Sequence, residues 1–274
     1  MHRYRLLQSA HDCVLARQRY NRAVLERDMS GAFERGELTL YYQPIVSTRT
    51  GRVLGAEALL RWKHGSLGVL SPAAYLHAID DASCARELAE WAVTKTIHDA
   101  AELNAQEAIC VNVNLSPTQL LAIPVASIVQ RELRAAHLPA HLLVIEVTEH
   151  TVFHNLVVAL DVMRELKELG VQLALDDFGT GYNGLAQLQS YPLDCVKIDR
   201  RFVCDITHSP SSRAICQSMI LLAHSLGLRV IAEGIETVDQ AHVLRTMGCD
   251  EFQGYYYSQA VPKRAFIEAL LSAG

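Results

Sequence analysis

The chain has 274 residues, half of them hydrophobic and a fifth charged, with a formal net charge of −5. This excludes a disordered chain, and the acidic balance excludes a basic surface for polymeric nucleic acid. No apolar run approaches a membrane span or a signal peptide, and seven cysteines without a C-x-x-C pair predict reduced thiols in the cytoplasm, or in the cytoplasmic part of a membrane-anchored protein.

Residues 1–30 carry Arg3, Arg5, Arg17, Arg19, Arg22 and Arg27 and read as a basic amphipathic helical segment ahead of a domain over 31–274. Two readings stay open. The segment is either a solvated helix packed on that domain or a signalling or juxtamembrane stub that follows an upstream sensory or membrane domain. Apolar, β-rich runs then predict strands over 39–46, 53–60, 108–115, 142–148, 171–177, 195–199, 228–234 and 250–256. Helical runs lie between most of them, two closing on Gly170 and Gly227 in the capping position. The first two strands are joined by a short turn and should pair antiparallel; from the second onward strand and helix alternate, which demands parallel pairing. Eight such strands predict an α/β fold, a TIM-type (β/α)8 barrel with the first strand antiparallel; an open doubly wound sheet is the alternative.

The strand ends carry the chemistry. In order they offer Glu57, Asn114, Glu146, Asp176 with Asp177, Lys197 with Asp199, Glu233 and Gln253. A barrel draws its reactive groups from the C-terminal ends of several strands. So many carboxylates in a largely apolar setting would repel one another and pay heavily for lost hydration unless a cation compensated them. A single acid of this kind is more often a cap or a surface charge, but that reading fails for the whole series. The oxygen-rich donor set favours Mg²⁺ or Mn²⁺ over Zn²⁺. His150 and His154 share a helical face without a third ligand pattern and are set aside.

Read together, "YYQPIV", "EALLRW", "VNLSPTQL", "IEVTE", "DDFGTGY", "VKID", "VIAEGIET" and "QGYYYSQAVP" resemble the EAL-domain family of cyclic-di-GMP phosphodiesterases, from about Leu25 to the C-terminus. The resemblance implies a barrel with its first strand reversed and two ions, Mg²⁺ or Mn²⁺, per site. It implies that Glu57, Asn114, Glu146 and Asp176 hold the first ion, and that Asp176 bridges to a second shared with Asp177 and Glu233. By the same resemblance Lys197 polarises or deprotonates the attacking water, and Asp199 holds the lysine and water in place. Glu57 and Glu236 also belong to the catalytic set. Arg61, Gln43 and Gln253 contact or line the substrate, and Glu149 pins the loop after the Asp pair. The implied substrate is cyclic di-GMP, opened once to linear 5′-pGpG. A homodimer is implied through the region after that loop, where Tyr182, Leu185, Leu188 and Tyr191 form an apolar stripe; simple packing of the stripe on the barrel is the alternative. Three places depart from the family pattern: Asn183–Gly184 in place of two serines, Gly65 in place of a proline, and the stretch over 78–88. The first of these leaves a second functional reading, a weak or inactive cyclic-di-GMP receptor module that signals through a partner.

Overall fold

The computed structural model describes residues 24–25, 27–29, 31–75, 82–105, 108–148, 156–180 and 188–273. Its strands are β1 (Leu38–Ser47), β2 (Val53–His64), β3 (Gly68–Leu70), β4 (Cys110–Leu115), β5 (Leu143–Thr148), β6 (Gln172–Phe178), β7 (Cys195–Ile198), β8 (Arg229–Ala232), β9 (Glu251–Phe252) and β10 (Val261–Pro262). Its helices are α1 (Pro72–Tyr75), α2 (Ala82–Asn104), α3 (Pro117–Ala122), α4 (Val125–Ala136), α5 (Leu156–Glu168), α6 (Arg200–Val203), α7 (Pro210–Ser225), α8 (Val238–Thr246) and α9 (Lys263–Ala273). The chain divides into two compact units, Met1–Thr39 with Leu60–Leu88, and Leu40–Leu59 with Ala89–Gly274.

The larger unit is a closed barrel. Its strands run in the order β1-β9-β8-β7-β6-β5-β4-β2, and β1 pairs β2 to complete the ring. β1 is antiparallel to β9, whereas the neighbours from β2 round to β9 are parallel. The reversed-first-strand barrel expected from the sequence is therefore the fold, and the open sheet drops out. β10 adds a short antiparallel edge to β1.

Alternation along the strands builds the interior in layers, because residues two apart share a face. Ile45, Val144, Ala174, Cys195 and Ile231 form an apolar layer with Cys110 beside it. Two residues onward on the same faces stand Asn112, Glu146, Asp176, Lys197 and Glu233; on the reversed β1 the equivalent step backward gives Gln43. The opposite faces, with Val111, Val113, Ile145, Val147, Leu173, Leu175, Val196 and Val230, are buried; each such side chain contributes about 1.5–3 kcal/mol by leaving water. Gly170 and Gly227 follow α5 and α7 with positive φ, as their capping role predicts.

One buried polar knot fastens α9 to the barrel. The Tyr42 hydroxyl donates to Asp99 at 2.7 Å, and Lys95 and Lys263 donate to the other oxygen of that carboxylate at 2.7 and 2.6 Å. Asp99 is thus held below the usual carboxylate range, the two ammonium groups and the phenol outweighing its burial.

The strand expected over 250–256 lasts only two residues. At Gly254 the chain turns onto the backbone of Ile235, with Ile235 N–H donating to Gln253 O at 3.1 Å and Tyr256 N–H to Ile235 O at 2.9 Å. A Cβ at Gly254 would collide with the Ile235 backbone, so no other residue fits this crossing. In the smaller unit β3 extends β2 as a hairpin, pairing Trp62 with Leu70 and His64 with Gly68. Trp62 donates to Glu37 at 2.9 Å and packs edge-on against Tyr75. Of the N-terminal segment, Leu25 and Met29 are described and buried. Among the described residues no helix is long and apolar enough to cross a membrane.

Candidate active site

The polar layer closes on one ammonium group. Lys197, projecting inward from β7, is wholly buried, with Nζ 2.5 Å from Glu233, 2.8 Å from Glu146, 3.2 Å from Glu57 and 3.8 Å from Asp176. Glu146, Glu57 and Asp176 come from β5, β2 and β6 and Glu233 directly follows β8, so with β7 five strands converge at the C-terminal rim. Neutral amides fill the remaining positions. Asn114 donates to Glu57 Oε1, Gln253 to Glu57 Oε2 at 2.6 Å and to Gln43 Oε1 at 3.1 Å, and Gln43 donates to Ser258 O at 3.1 Å.

Asp177 reaches the same rim through a backbone irregularity. β6 and β7 pair Leu175 with Val196 but Phe178 with Ile198, so β6 carries one extra residue. The extra residue lets Phe178 return to the buried outer face while Asp177 sits at φ 58°, a left-handed conformation that aspartate tolerates better than most side chains. Two adjacent acids that a regular strand would send to opposite faces can then serve one rim. Gly179 follows at φ 90°, where a Cβ would run into Met219.

One lysine is too little positive charge for this many carboxylates. Burial and the Asp176 and Glu57 charges push Glu233 up to about 8 against the pull of Lys197. Burial, with Glu57 and Asp176, likewise raises Glu146 well above the carboxylate range. Burial, the Asp176 charge and a hydrogen bond that its carboxyl donates to Asp199 push Asp177 up to about 6. Glu57 goes the other way: Lys197, Gln253 and Asn114 outweigh its burial and lower it. Burial alone would depress Lys197, but Asp176, Glu146, Glu233 and Glu57 hold it well above an ordinary lysine.

The family description "EAL domain" matches residues 26–260. The chain belongs to the EAL domain family. It is 36% identical over 248 residues to the cyclic di-GMP phosphodiesterase NbdA of Pseudomonas aeruginosa, covering 90% of this chain and 32% of that protein. Its fold superposes on the PaMucR phosphodiesterase in its c-di-GMP complex with a TM-score of 0.84 at 32% identity, covering 88% of this chain and 99% of that one. It superposes on BlrP1 of Klebsiella pneumoniae, in a calcium and cyclic di-GMP complex, with a TM-score of 0.75 at 31% identity, covering 83% and 56%. This EAL domain spans about a third of the length of the first curated relatives it matches.

The donor set of the EAL domain fits divalent cations. It presents five carboxylates and an amide oxygen at one rim with a deficit of positive charge, and Gln253 Oε1 is buried there without a partner among the described residues. Among the described residues no three ligating side chains are already spread around a cation position; the acids close on Lys197 Nζ instead, which stands as the counter-ion. A cleft of about 240 Å³ opens beside them, lined by Gln43, Glu57, Asp176, Glu233, Glu236 and Tyr255 among others. A larger hollow of about 890 Å³ lies at the opposite end of the barrel, by the β1–β2 turn. Its acids are already paired, Asp250 with His224 and Glu251 with Arg229, so the chemistry belongs to the smaller cleft.

The other sequence-derived site residues divide. Asp199 caps α6, accepts from Arg201 Nε at 2.7 Å and bonds Asp177; among the described residues no hydrogen bond joins it to Lys197, which it was expected to hold. Glu236 pairs with Arg200 at 2.6 Å on the cleft wall. Arg61 lies in the smaller unit, donating to Leu60 O at 2.8 Å. Glu149, His150, His154, Asn183, Gly184, Tyr182 and Leu185 fall outside the described residues, whereas Leu188 and Tyr191 are buried. Sequence reasoning passed over Asn112, which is buried and donates to Glu146 at 2.6 Å. Its signal was present: in "VNVN" it stands two residues before Asn114 and so shares its face.

Proposed function

We propose that this EAL domain hydrolyses cyclic di-GMP once, to linear 5′-pGpG, with two Mg²⁺ or Mn²⁺ ions. The observation that carries the reading is the convergence of carboxylates from four strands on a buried lysine at the barrel rim, in a chain of this family. Water adds across one phosphodiester: its oxygen bonds to phosphorus, the P–O3′ bond breaks, and the 3′ oxygen takes up a proton. Glu57, Asn114, Glu146 and Asp176 would hold one ion, and Asp176, Asp177 and Glu233 the other. Once bound, such ions neutralise phosphate oxygens and lower the pKa of water. Lys197 Nζ, sealed from bulk solvent and protonated beside these acids, would polarise the attacking water, and would accept its proton only once bound cations take over the acids and lower its pKa. Gln43 and Gln253 brace Glu57 and face the dinucleotide, Arg61 is the candidate partner for a substrate phosphate through its planar fork, and Glu236 shapes the wall through Arg200. Asp199 acts on Asp177 and Arg201 at the second ion. The protein works as a symmetric homodimer, a point that light scattering over a dilution series checks.

The test is incubation with cyclic di-GMP and Mn²⁺ or Mg²⁺, followed by separation of the products. Linear pGpG is expected under at least one metal. Binding that leaves the dinucleotide intact after hours would instead make the domain a receptor module.

A further inference from the structure

Glu146 is the most deeply enclosed acid of the site, fully buried, and both of its oxygens are engaged. Oε2 accepts from Lys197 at 2.8 Å, and Oε1 accepts from Asn112 Nδ2 at 2.6 Å. Asn112 lies on β4, level with Val144 of β5, while Asn114 is level with Glu146. Its amide therefore reaches the carboxylate from the side away from the C-terminal rim. It is almost wholly buried. Asn112 is level with Val144 on one neighbouring strand and with Glu57 on the other, so it stands where the apolar and polar side chains of the interior meet. A buried amide is costly unless it is bonded, and its Nδ2 is spent on one oxygen of one acid.

We propose that Asn112 is a positioning residue that commits Glu146 to binding a cation through a single oxygen. With Oε1 tied from below, only Oε2 can leave Lys197 and turn to an ion. The carboxylate cannot rotate to present both oxygens, and Lys197 is released when Oε2 moves. The amide does this without adding charge, so the anionic excess of the site is kept for the ions. A partner of this kind fixes a ligand's orientation, and its loss typically costs about 10–100-fold in metal affinity or activity. The inference rests on the reading of Glu146 as a metal ligand.

The test uses the full chain with Asn112→Leu, which keeps the branched heavy-atom shape and removes the donor, and Asn112→Ala, which removes both. Each is measured by circular dichroism, by calorimetric titration with Mn²⁺ in the absence of substrate, and by steady-state kinetics. Expected are folded variants that bind Mn²⁺ about 10–100-fold more weakly, with KM for cyclic di-GMP at saturating Mn²⁺ unchanged. A folded variant with the wild-type Mn²⁺ affinity overturns the inference, as does a loss expressed only in KM. If neither variant folds, Asn112 belongs to the core and the inference is overturned. Wild-type protein that binds no Mn²⁺ would instead remove the metal reading beneath it, a result separable from the others.

Discussion

Replacing Lys197 with methionine isolates the balance of charge inside the barrel. The substitution keeps the length of the side chain and removes the ammonium group that lies 2.5–3.8 Å from Glu233, Glu146, Glu57 and Asp176. Leaving a buried charge without its partner costs about 3–5 kcal/mol. The carboxylates escape that cost by taking up protons, at about 1.4 kcal/mol per proton for each pH unit above their unfolded value, which for a glutamate is 4.5. The penalty must therefore grow with pH. Near pH 8 in chelator we expect the melting temperature to fall by about 6–20 °C, since a protein of this size loses about 2–4 °C per kcal/mol. Near pH 5.5 the fall should be much smaller, and saturating Mn²⁺ should recover most of the loss at pH 8 while turnover stays abolished. Thermal unfolding by circular dichroism at both pH values, with and without Mn²⁺, reads all three effects. A variant as stable as wild type near pH 8, or one equally destabilised at both pH values, would refute the view that Lys197 is the counter-ion of this cluster.

Asp176→Asn preserves shape and removes one charge; we expect Mn²⁺ affinity to fall by more than about 100-fold, beyond the loss of an outer partner, and pGpG formation to vanish, with calorimetry and product separation as the readouts. The ion-free wild type should lose stability as pH rises. Asp177 and Glu233 are raised to about 6 and about 8 from unfolded values of 3.8 and 4.5, so the folded chain holds protons the unfolded chain has released, and their contribution, full below the unfolded values, drains away through pH 6 and then pH 8. Melting in chelator between about pH 5 and pH 9 checks the sign, and Mn²⁺ should flatten the slope; a stability that climbs across that window would contradict it. Gly254→Ala forces a methyl group onto the Ile235 backbone, costing about 1–3 kcal/mol and displacing Gln253, which denaturant unfolding and KM for cyclic di-GMP would show together.

The barrel was legible because its strands are short apolar runs with period-two alternation, and because helices between them force parallel pairing. Successive strands each end in a polar group, so Glu146, Asp176 and Lys197 were visible as one set. What the sequence concealed was pairing. Lys197 stood out as a strand-end lysine, but the four acids that converge on it, and so hold its proton, depend on the register of strands far apart in the chain. The family resemblance set Asp199 to hold Lys197, yet the turn into α6 carries it to Arg201 and Asp177. β10 escaped notice because two residues ending in proline carry almost no strand signal, and β3 because "HGSLG" reads as a turn with nothing beyond it. Asn112 was hidden in an apolar run, although its spacing from Asn114 marked it.

The reversed β1 sets the order in which the protein can assemble. Leu38–Ser47 finds one neighbour at β9, with Val46 opposite Phe252, so this seam joins segments about two hundred residues apart. Pairings so remote in sequence form late, since the chain between them must already be ordered for closure to succeed. Glu57, Glu146, Asp176 and Lys197 lie on strands made before β9 and Glu233 directly follows β8, whereas the Gln43–Gln253 bond spans the seam itself. With the seam open, the acids and their lysine would face solvent, where their mutual repulsion is weak. The electrostatic tension of the finished site arises only when the last strand and α9 lock in through Lys263, Asp99 and Tyr42. Ring closure thus stores the charge imbalance that the finished protein offers to incoming cations.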